Sequence, residues 1–338
     1  MLCAVCGRGG SMLRVAMLSR WHVHANQYAG ETRANPDADV VAVWDEDPTR
    51  GAAWADELEV PFEGNLDTLL ASDDIDAVCV VTPTKAHRDV MVRSANAGKH
   101  IFTEKVLATT VADCEAIANA VRANGVKFCI SFPRRTIPQI LYVKEAVDEG
   151  LLGQVTALRV RIAHDGAVRD WLPAHFYDPD ACGGGAMMDL GAHGMYLCRW
   201  LLGPPKRIVS VFNTVTGRAV DDNTVSVIEF ENGAIAVNET SFTGFGGCYS
   251  LEIDGTEGGL RMLSPGEGVQ IRSKHLGGNG WQQPERLPEA QAKPIDQWIA
   301  GCVHGTPIEF GLESAIQLTQ LMEAAYVADA EDRSVNLG

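Results

Sequence analysis

No apolar run in this sequence approaches the roughly 20 residues a helix needs to cross a bilayer, so no membrane span is expected. Positive charge is also scarce. Lys and Arg number 28 against 44 Asp and Glu, a formal net charge of −16. A field of that sign repels phosphate backbones and anionic lipid surfaces, which argues against nucleic-acid and membrane partners. Its ordinary meaning is solubility. The nine cysteines form no pairing pattern. Cys79 in AVCVV and Cys129 in KFCIS read as small buried hydrophobes. Cys3 and Cys6 make a lone CxxC with no second pair at zinc-ribbon spacing, so no metal site is expected. The opening MLCAVCGRGGS has a short apolar stretch with no basic flank before it, unlike a secretory signal, and a cytoplasmic protein is expected. Met12 serves equally well as a start.

The absence with the largest consequence is a glycine. The first third of the chain alternates strand and helix patterns: strands at Arg14–Leu18, Val40–Trp44, Asp76–Val81, His100–Thr103 and Val126–Ser131, with helices near 23–34, 48–58 and 110–124. Strands separated by helices of that length imply βαβ units, a parallel sheet and a ligand edge at the strand C-termini. A phosphate-binding loop must follow the first strand, where glycines let the backbone turn tightly and approach a pyrophosphate. The chain instead reads Ser19-Arg20-Trp21-His22-Val23-His24, without glycine. Gly7, Gly9 and Gly10 precede the strand and are a decoy. A helix N-terminus still binds an anion through free N–H groups, and Arg20 adds charge. Asp45 ends the second strand, about 20 residues past the first turn, where an acid accepts hydrogen bonds from the adenosine ribose. With no obvious basic partner beside it, Asp45 repels a 2′-phosphate and favours NAD over NADP. The same residue reads alternatively as a solvated turn acid beside Glu46 and Asp47.

After about Leu151 the pattern changes to long alternating runs such as TALRVRIAH, NTVSVIEF and AIAVNETSF, with turn chemistry at Glu231-Asn232-Gly233 and Asp254-Gly255. A second, largely antiparallel domain is expected, closed by a helix over 314–330. Within it lies GGGAMMDLGAH, residues 183–193. Three glycines allow close backbone approach to a ligand, and a helix after them puts Asp189 and His193 at i and i+4 on one face. A carboxylate beside an imidazole orients it and stabilises its protonated form. A capped helix start with a packing histidine explains the same letters. Lys105, after the HIFT strand, is a fixed charge for a substrate oxygen or one half of a surface Glu-Lys pair.

TPTKAH, TEKVLA, ISFPRR and GGGAMMDLGAH, in this order, together with the closing run KPIDQWIAGCVHGTPIEFGLESAIQLTQLMEAAYVA, resemble the glucose–fructose oxidoreductase and inositol dehydrogenase family from about Leu13 to Gly338. The resemblance implies an α/β Rossmann domain over residues 12–133 after a tail of 1–11. It implies an α+β substrate-binding and oligomerisation domain with a large, mostly antiparallel open sheet over 134–338. It implies Lys105, Asp189 and His193 as the catalytic set. Ser19, Arg20, Trp21, His22, Asp45, Thr82, Pro83, His87, Glu104, Lys105 and Arg134 then lie on the cofactor side. His164, Trp171 and Tyr177, in or near loops of the second domain, are candidates to line the substrate pocket with the catalytic residues, and ordinary packing explains each equally well. Val106 stands where the family has proline, leaving the backbone after Lys105 less constrained, and Pro133 where it has asparagine.

The activity implied is NAD-dependent oxidation or reduction of a secondary hydroxyl on a sugar, inositol or related polyol, by a homodimer or homotetramer. A redox-neutral use of bound NAD to cleave a glycoside by oxidation and elimination is the enzymatic rival. A non-catalytic sugar or dinucleotide sensor is the other. Residues 1–11 precede the first core strand, so deleting them is expected to leave the melting temperature and activity unchanged. A large loss of either, in thermal denaturation or turnover, would show that the tail contributes to the fold or to the site.

Overall fold

The computed structural model describes residues 12–263, 268–277 and 280–338. The decoy glycines and the Cys3/Cys6 pair lie outside the described residues. The chain forms two compact units. The first runs to Glu104 and adds Asp113–Ser131 and Ala292–Leu312; the second holds Lys105–Ala112, Phe132–Gln291 and Glu313–Gly338. In chain order the elements are β1 (Leu13–Leu18), α1 (Ala25–Ala34), β2 (Ala38–Trp44), α2 (Pro48–Leu58), α3 (Leu66–Leu70), β3 (Ala77–Val80), α4 (His87–Asn96), β4 (His100–Thr103), α5 (Val111–Asn124) and β5 (Phe128–Ile130). There follow α6 (Pro138–Asp148), β6 (Val155–Ala163), α7 (Pro179–Cys182), α8 (Ala192–Leu202), β7 (Pro205–Asn213), β8 (Asn223–Phe230), β9 (Ile235–Ser241), β10 (Cys248–Gly255), β11 (Gly258–Met262) and β12 (Gln270–Ser273). The chain closes with α9 (Pro294–Val303), α10 (Leu312–Ala330) and β13 (Val335–Asn336). Among the described residues no helix is long and apolar enough to cross a membrane.

The first unit is a parallel sheet in the order β2-β1-β3-β4-β5. Its central strands are apolar on both faces. Val15, Met17, Leu18, Val78, Cys79, Val80, Ile101 and Phe102 are fully buried, as a sheet covered by helices on both sides requires. The chain leaves β1 toward β2 on one side and resumes at β3 on the other. That reversal opens a crevice at the carboxyl ends of β1 and β3. α2 starts where Asp47 accepts from the N–H groups of Thr49 and Arg50, with Pro48 in its first turn.

The second unit carries an eight-stranded sheet, β12-β11-β10-β6-β9-β8-β7-β13. Every pairing is antiparallel except β6 with β9. Strand alternation sorts its two faces. One row of direct partners crosses seven strands as Ile208, Ile228, Ala236, Leu158, Ile253, Leu260 and Ile271, all buried. On the opposite face Val209, Val211, Val225 and Ile235 are exposed beside Arg159 and Glu239, which pair at 2.9 Å. The sequence places a turn at Asp254-Gly255. The structure continues β10 through Gly255 and reverses one residue later. A Cβ on Gly255 would lie 2.2 Å from the carbonyl oxygen of Leu152, so the glycine serves a close backbone crossing rather than the turn.

The run Gly183-Gly184-Gly185 is also explained by packing. Gly183 has φ 76° and ends α7 in the left-handed region, where a side chain is strained. A Cβ on Gly184 would meet the Tyr326 hydroxyl at 2.0 Å, and one on Gly185 the Asp221 carbonyl oxygen at 2.0 Å. The close approach read from the sequence as room for a ligand is an approach to the protein's own chain. Gly185→Ala is therefore expected to destabilise by about 1–3 kcal/mol through overpacking. Gly30→Ala, inside α1 with nothing within 4 Å of the added Cβ, is expected to stabilise by about 1 kcal/mol. Urea denaturation of both variants checks the contrast.

Candidate active site

In the first unit the glycine-free loop keeps the shape of a glycine turn. Ser19 is fully buried with φ 76°, a left-handed conformation unusual for a residue with a side chain. Two bonds hold it there: its N–H donates to Trp44 O at 2.7 Å, and its hydroxyl accepts the Trp21 N–H at 3.0 Å. Trp21, a large side chain in a loop of this kind, is buried in the unit. The His22 N–H donates to Val81 O at 3.3 Å, tying the loop to the end of β3. His24 stands at the N-cap of α1 without a side-chain capping bond. Arg20 turns its guanidinium to Glu57 at 2.7 Å.

Asp45 directly follows β2, and it has the basic partner that the sequence reading denied it. Arg50, from the first turn of α2, donates to its two oxygens at 3.0 and 2.6 Å. The N–H groups of Arg20 and Asp47 each add a bond at 2.8 Å. The carboxylate is wholly covered, while Arg50 also reaches Glu46 at 2.7 Å. Spacing missed this because the arginine lies beyond the acidic triplet and the Asp47 cap, where only the helix turn brings it back.

Beyond β3, Thr82, Thr84 and His87 are buried, and His87 Nε2 lies 3.2 Å from Thr82 O. Pro83 leads into the short turn over Thr84–Ala86. Thr82 Oγ1 is buried without a hydrogen-bond partner, an orphaned polar atom at the ligand edge of the sheet. Glu104, next after β4, is 2% exposed. Its carboxylate meets His24 Nδ1 at 3.0 Å and accepts from the Tyr28 hydroxyl. Burial, then the charge of Glu104, pushes the Tyr28 phenol well above its ordinary range. A dinucleotide fits this edge in three respects: the switch-point crevice, the turn at Ser19, and the orphaned Thr82 hydroxyl.

In the second unit Lys105 is buried, and its Nζ donates to both the carboxylate and the carbonyl oxygen of Asp189 at 2.8 Å. The Lys105–Val106 peptide bond is cis. Asp189 lies not in a regular helix but in a wide π-helical turn over Met187–Gly191, a geometry frequent at functional sites. Asp221 anchors that turn. It accepts the N–H groups of Gly185 and Met187 at 2.8 Å and the Tyr326 hydroxyl at 2.9 Å, and its burial raises its pKa. α8 begins at Ala192, so His193 stands in its first turn, buried to 7% exposure.

The sequence assigns the orientation of His193 to Asp189. The structure places the Tyr196 hydroxyl 3.0 Å from His193 Nδ1 and turns the Asp189 carboxylate to Lys105. Tyr196 is itself fixed: it stacks on Phe132 with centroids 4.4 Å apart, and its oxygen accepts the Arg134 N–H at 3.3 Å. The i, i+3 spacing of His193 and Tyr196 was the available signal.

The remaining residues divide. His164 stacks on Phe242 at 4.8 Å, and burial lowers its pKa while Asp189 opposes the shift. It is held in place by the Gly166 N–H on Nδ1 at 3.1 Å. Trp171 is half exposed and donates to Asp165 at 2.9 Å. Tyr177 is buried under the Arg218 guanidinium, 3.8 Å from the ring. Arg134 and Arg135 lie over the rings of Tyr249 and Trp200, at 4.2 and 4.6 Å.

Comparison with known proteins matches two domain models. Residues 1–132 match an oxidoreductase family with an NAD-binding Rossmann fold, and residues 140–261 match the GFO/IDH/MocA C-terminal domain. The chain is 28% identical over 331 residues to inositol 2-dehydrogenase of Rhizobium meliloti, covering 93% of this chain and 95% of that one. It is 31% identical over 240 residues to scyllo-inositol 2-dehydrogenase (NAD(+)) of Bacillus subtilis, covering 67% and 66%. Among solved structures, GenD2 from gentamicin A biosynthesis in complex with NAD superposes with a TM-score of 0.82 at 25% identity over 100% of both chains.

Tyr196→Phe keeps the stack on Phe132 and removes the oxygen beside Nδ1. It is expected to cost about 1 kcal/mol of stability by urea denaturation and to shift the imidazole tautomer balance in nitrogen NMR spectra. An unchanged ring spectrum would remove Tyr196 as the residue that orients His193.

Proposed function

Because this chain belongs to the GFO/IDH/MocA oxidoreductases, acting on CH–OH groups with a nicotinamide dinucleotide, we propose that it oxidises a secondary hydroxyl of a sugar, inositol or related polyol with NAD. The observation that carries the reading is the buried Lys105 ammonium, fixed by Asp189 one turn before His193. A dehydrogenase of this kind needs a base for the hydroxyl proton and a positive charge for the alkoxide that forms. NAD, held at the ligand edge of the first unit, would supply the hydride acceptor for the carbinol carbon. His193 takes the hydroxyl proton at Nε2 in the tautomer whose Nδ1 carries the hydrogen toward the Tyr196 oxygen, 3.0 Å away. Lys105 stabilises the developing alkoxide, and Asp189 holds Lys105 in place.

NAD is preferred over NADP on the strength of Asp45, although Arg50 already neutralises it. Thr82, with its orphaned hydroxyl, is assigned to the same cofactor. The chain works as an oligomer, with the exposed valine face of the eight-stranded sheet buried between copies.

His193→Ala is expected to lower turnover by about 10²–10⁴-fold with NAD binding nearly intact, and Lys105→Ala to lower turnover as well. The assay is NADH absorbance over a panel of sugars, polyols and glycosides. Normal turnover per folded His193→Ala molecule would make the histidine a packing residue. Glycoside cleavage without net NADH would shift the reading to oxidation followed by elimination. NADH is expected to bind more tightly than NADPH in fluorescence titrations. Equal or tighter NADPH binding would make Arg50, not Asp45, the residue that meets the ribose.

A further inference from the structure

His22, His24 and Glu104 come together at the ligand edge of the first unit, each offering one donor atom, all within 4.8 Å of one another. Two imidazoles and a carboxylate are the donor set of open divalent-metal sites, which leave positions for an added ligand. We propose that these three residues bind a zinc-type divalent cation, and that its open position receives the pyrophosphate of the dinucleotide in place of the missing glycine loop. The second half of this inference rests on the NAD reading; the first does not.

Geometry supports the metal. His24 Nδ1 and Glu104 Oε2 are 3.0 Å apart, about the separation of two ligands sharing an ion at 2.0–2.1 Å bond lengths. The two imidazole centroids are 4.7 Å apart. His22 Nδ1 lies 3.2 Å from the His24 N–H, a long contact for a hydrogen bond. The Tyr28 hydroxyl donates to the same Glu104 oxygen, Oε2, and so fixes the carboxylate beside His24.

Electrostatics supports the pyrophosphate. In a switch-point crevice the pyrophosphate sits at the N-terminus of the first helix. Here the N-cap residue of that helix, His24, makes no side-chain capping bond and lies 3.0 Å from the buried carboxylate of Glu104. Two anions meeting away from water repel each other unless a cation lies between them. Arg20, the arginine of the loop, is turned to Glu57. A divalent ion on the three ligands reverses the sign of the site and supplies the anion affinity that a glycine loop otherwise draws from its backbone N–H groups.

The test uses tag-free, full-length protein stripped by a chelator. Cobalt(II) is titrated by visible absorption, zinc by its effect on melting temperature, and NADH by fluorescence with and without zinc. The expected result is about one cobalt per chain, without a thiolate charge-transfer band. Zinc should raise the melting temperature of the parent protein. Both effects should be lost in His24→Gln and Glu104→Gln, whose far-ultraviolet dichroism confirms folding. NADH is expected to bind at least about tenfold more tightly with zinc present. No stoichiometric uptake, or equal uptake by His24→Gln, overturns the metal site. Uptake with unchanged or weakened NADH binding overturns the pyrophosphate role. Uptake with no NADH binding under either condition overturns the NAD reading and leaves the metal site standing.

Discussion

An ammonium group shut away from water must be paired, and the second unit is arranged around that demand at Lys105. Its Nζ draws both the carboxylate and the backbone carbonyl of Asp189 to 2.8 Å. Removing one partner of such a pair leaves an uncompensated charge, at a cost of about 3–5 kcal/mol. To offer two oxygens to one ammonium, the chain at Asp189 widens into a π-helical turn before the regular helix begins. The turn then needs its own support. Asp221 takes the N–H groups of Met187, the first residue of the turn, and of Gly185 just before it, and Asn238 donates to Gly191 O at 2.9 Å. Glycine at 191 and 194 lets the helix lie against Thr240 and Asn238, where an added Cβ on Gly194 would fall 1.9 Å from Asn238 Oδ1. His193 sits between those two glycines, so its position is set by the same packing.

Much of this was legible in the sequence. The parallel sheet followed from apolar strands at regular spacing, and the larger sheet from strict alternation. Both signals are local and both are dictated by burial. The cluster of Lys105, Asp189 and His193 was visible as residue types. What escaped was partnership. The i, i+4 reading of Asp189 and His193 assumes a regular α-helix, whereas Asp189 lies in a π-helical turn. Tyr196 and Arg50 were within a few residues of the groups they serve, but only the helix geometry shows which way they face. Glu104 lies 80 residues from His24 in the chain. No spacing rule links them, because they meet through the order of strands in the sheet.

The ligand edge of the first unit is unusually rich in buried acid for a place that must hold phosphates. Asp45 and Glu104 are both covered, in a chain that carries −16 overall. Each is balanced locally: Asp45 by Arg50 and backbone N–H groups, Glu104 by Tyr28 and the histidine beside it. Affinity for an anion at this edge therefore depends on how those local balances are redrawn, not on the long-range field of the protein.

Ser19 has a consequence for how such loops change over descent. Its backbone already occupies the left-handed region, held by the Trp44 carbonyl and by its own hydroxyl on the Trp21 N–H. Some serine codons lie a single base from glycine codons. A lineage can thus pass between a glycine and a serine at this corner without refolding the turn, keeping the curve of the chain while exchanging what surrounds it. The shape of a nucleotide loop and the letters by which it is usually recognised are then free to drift apart.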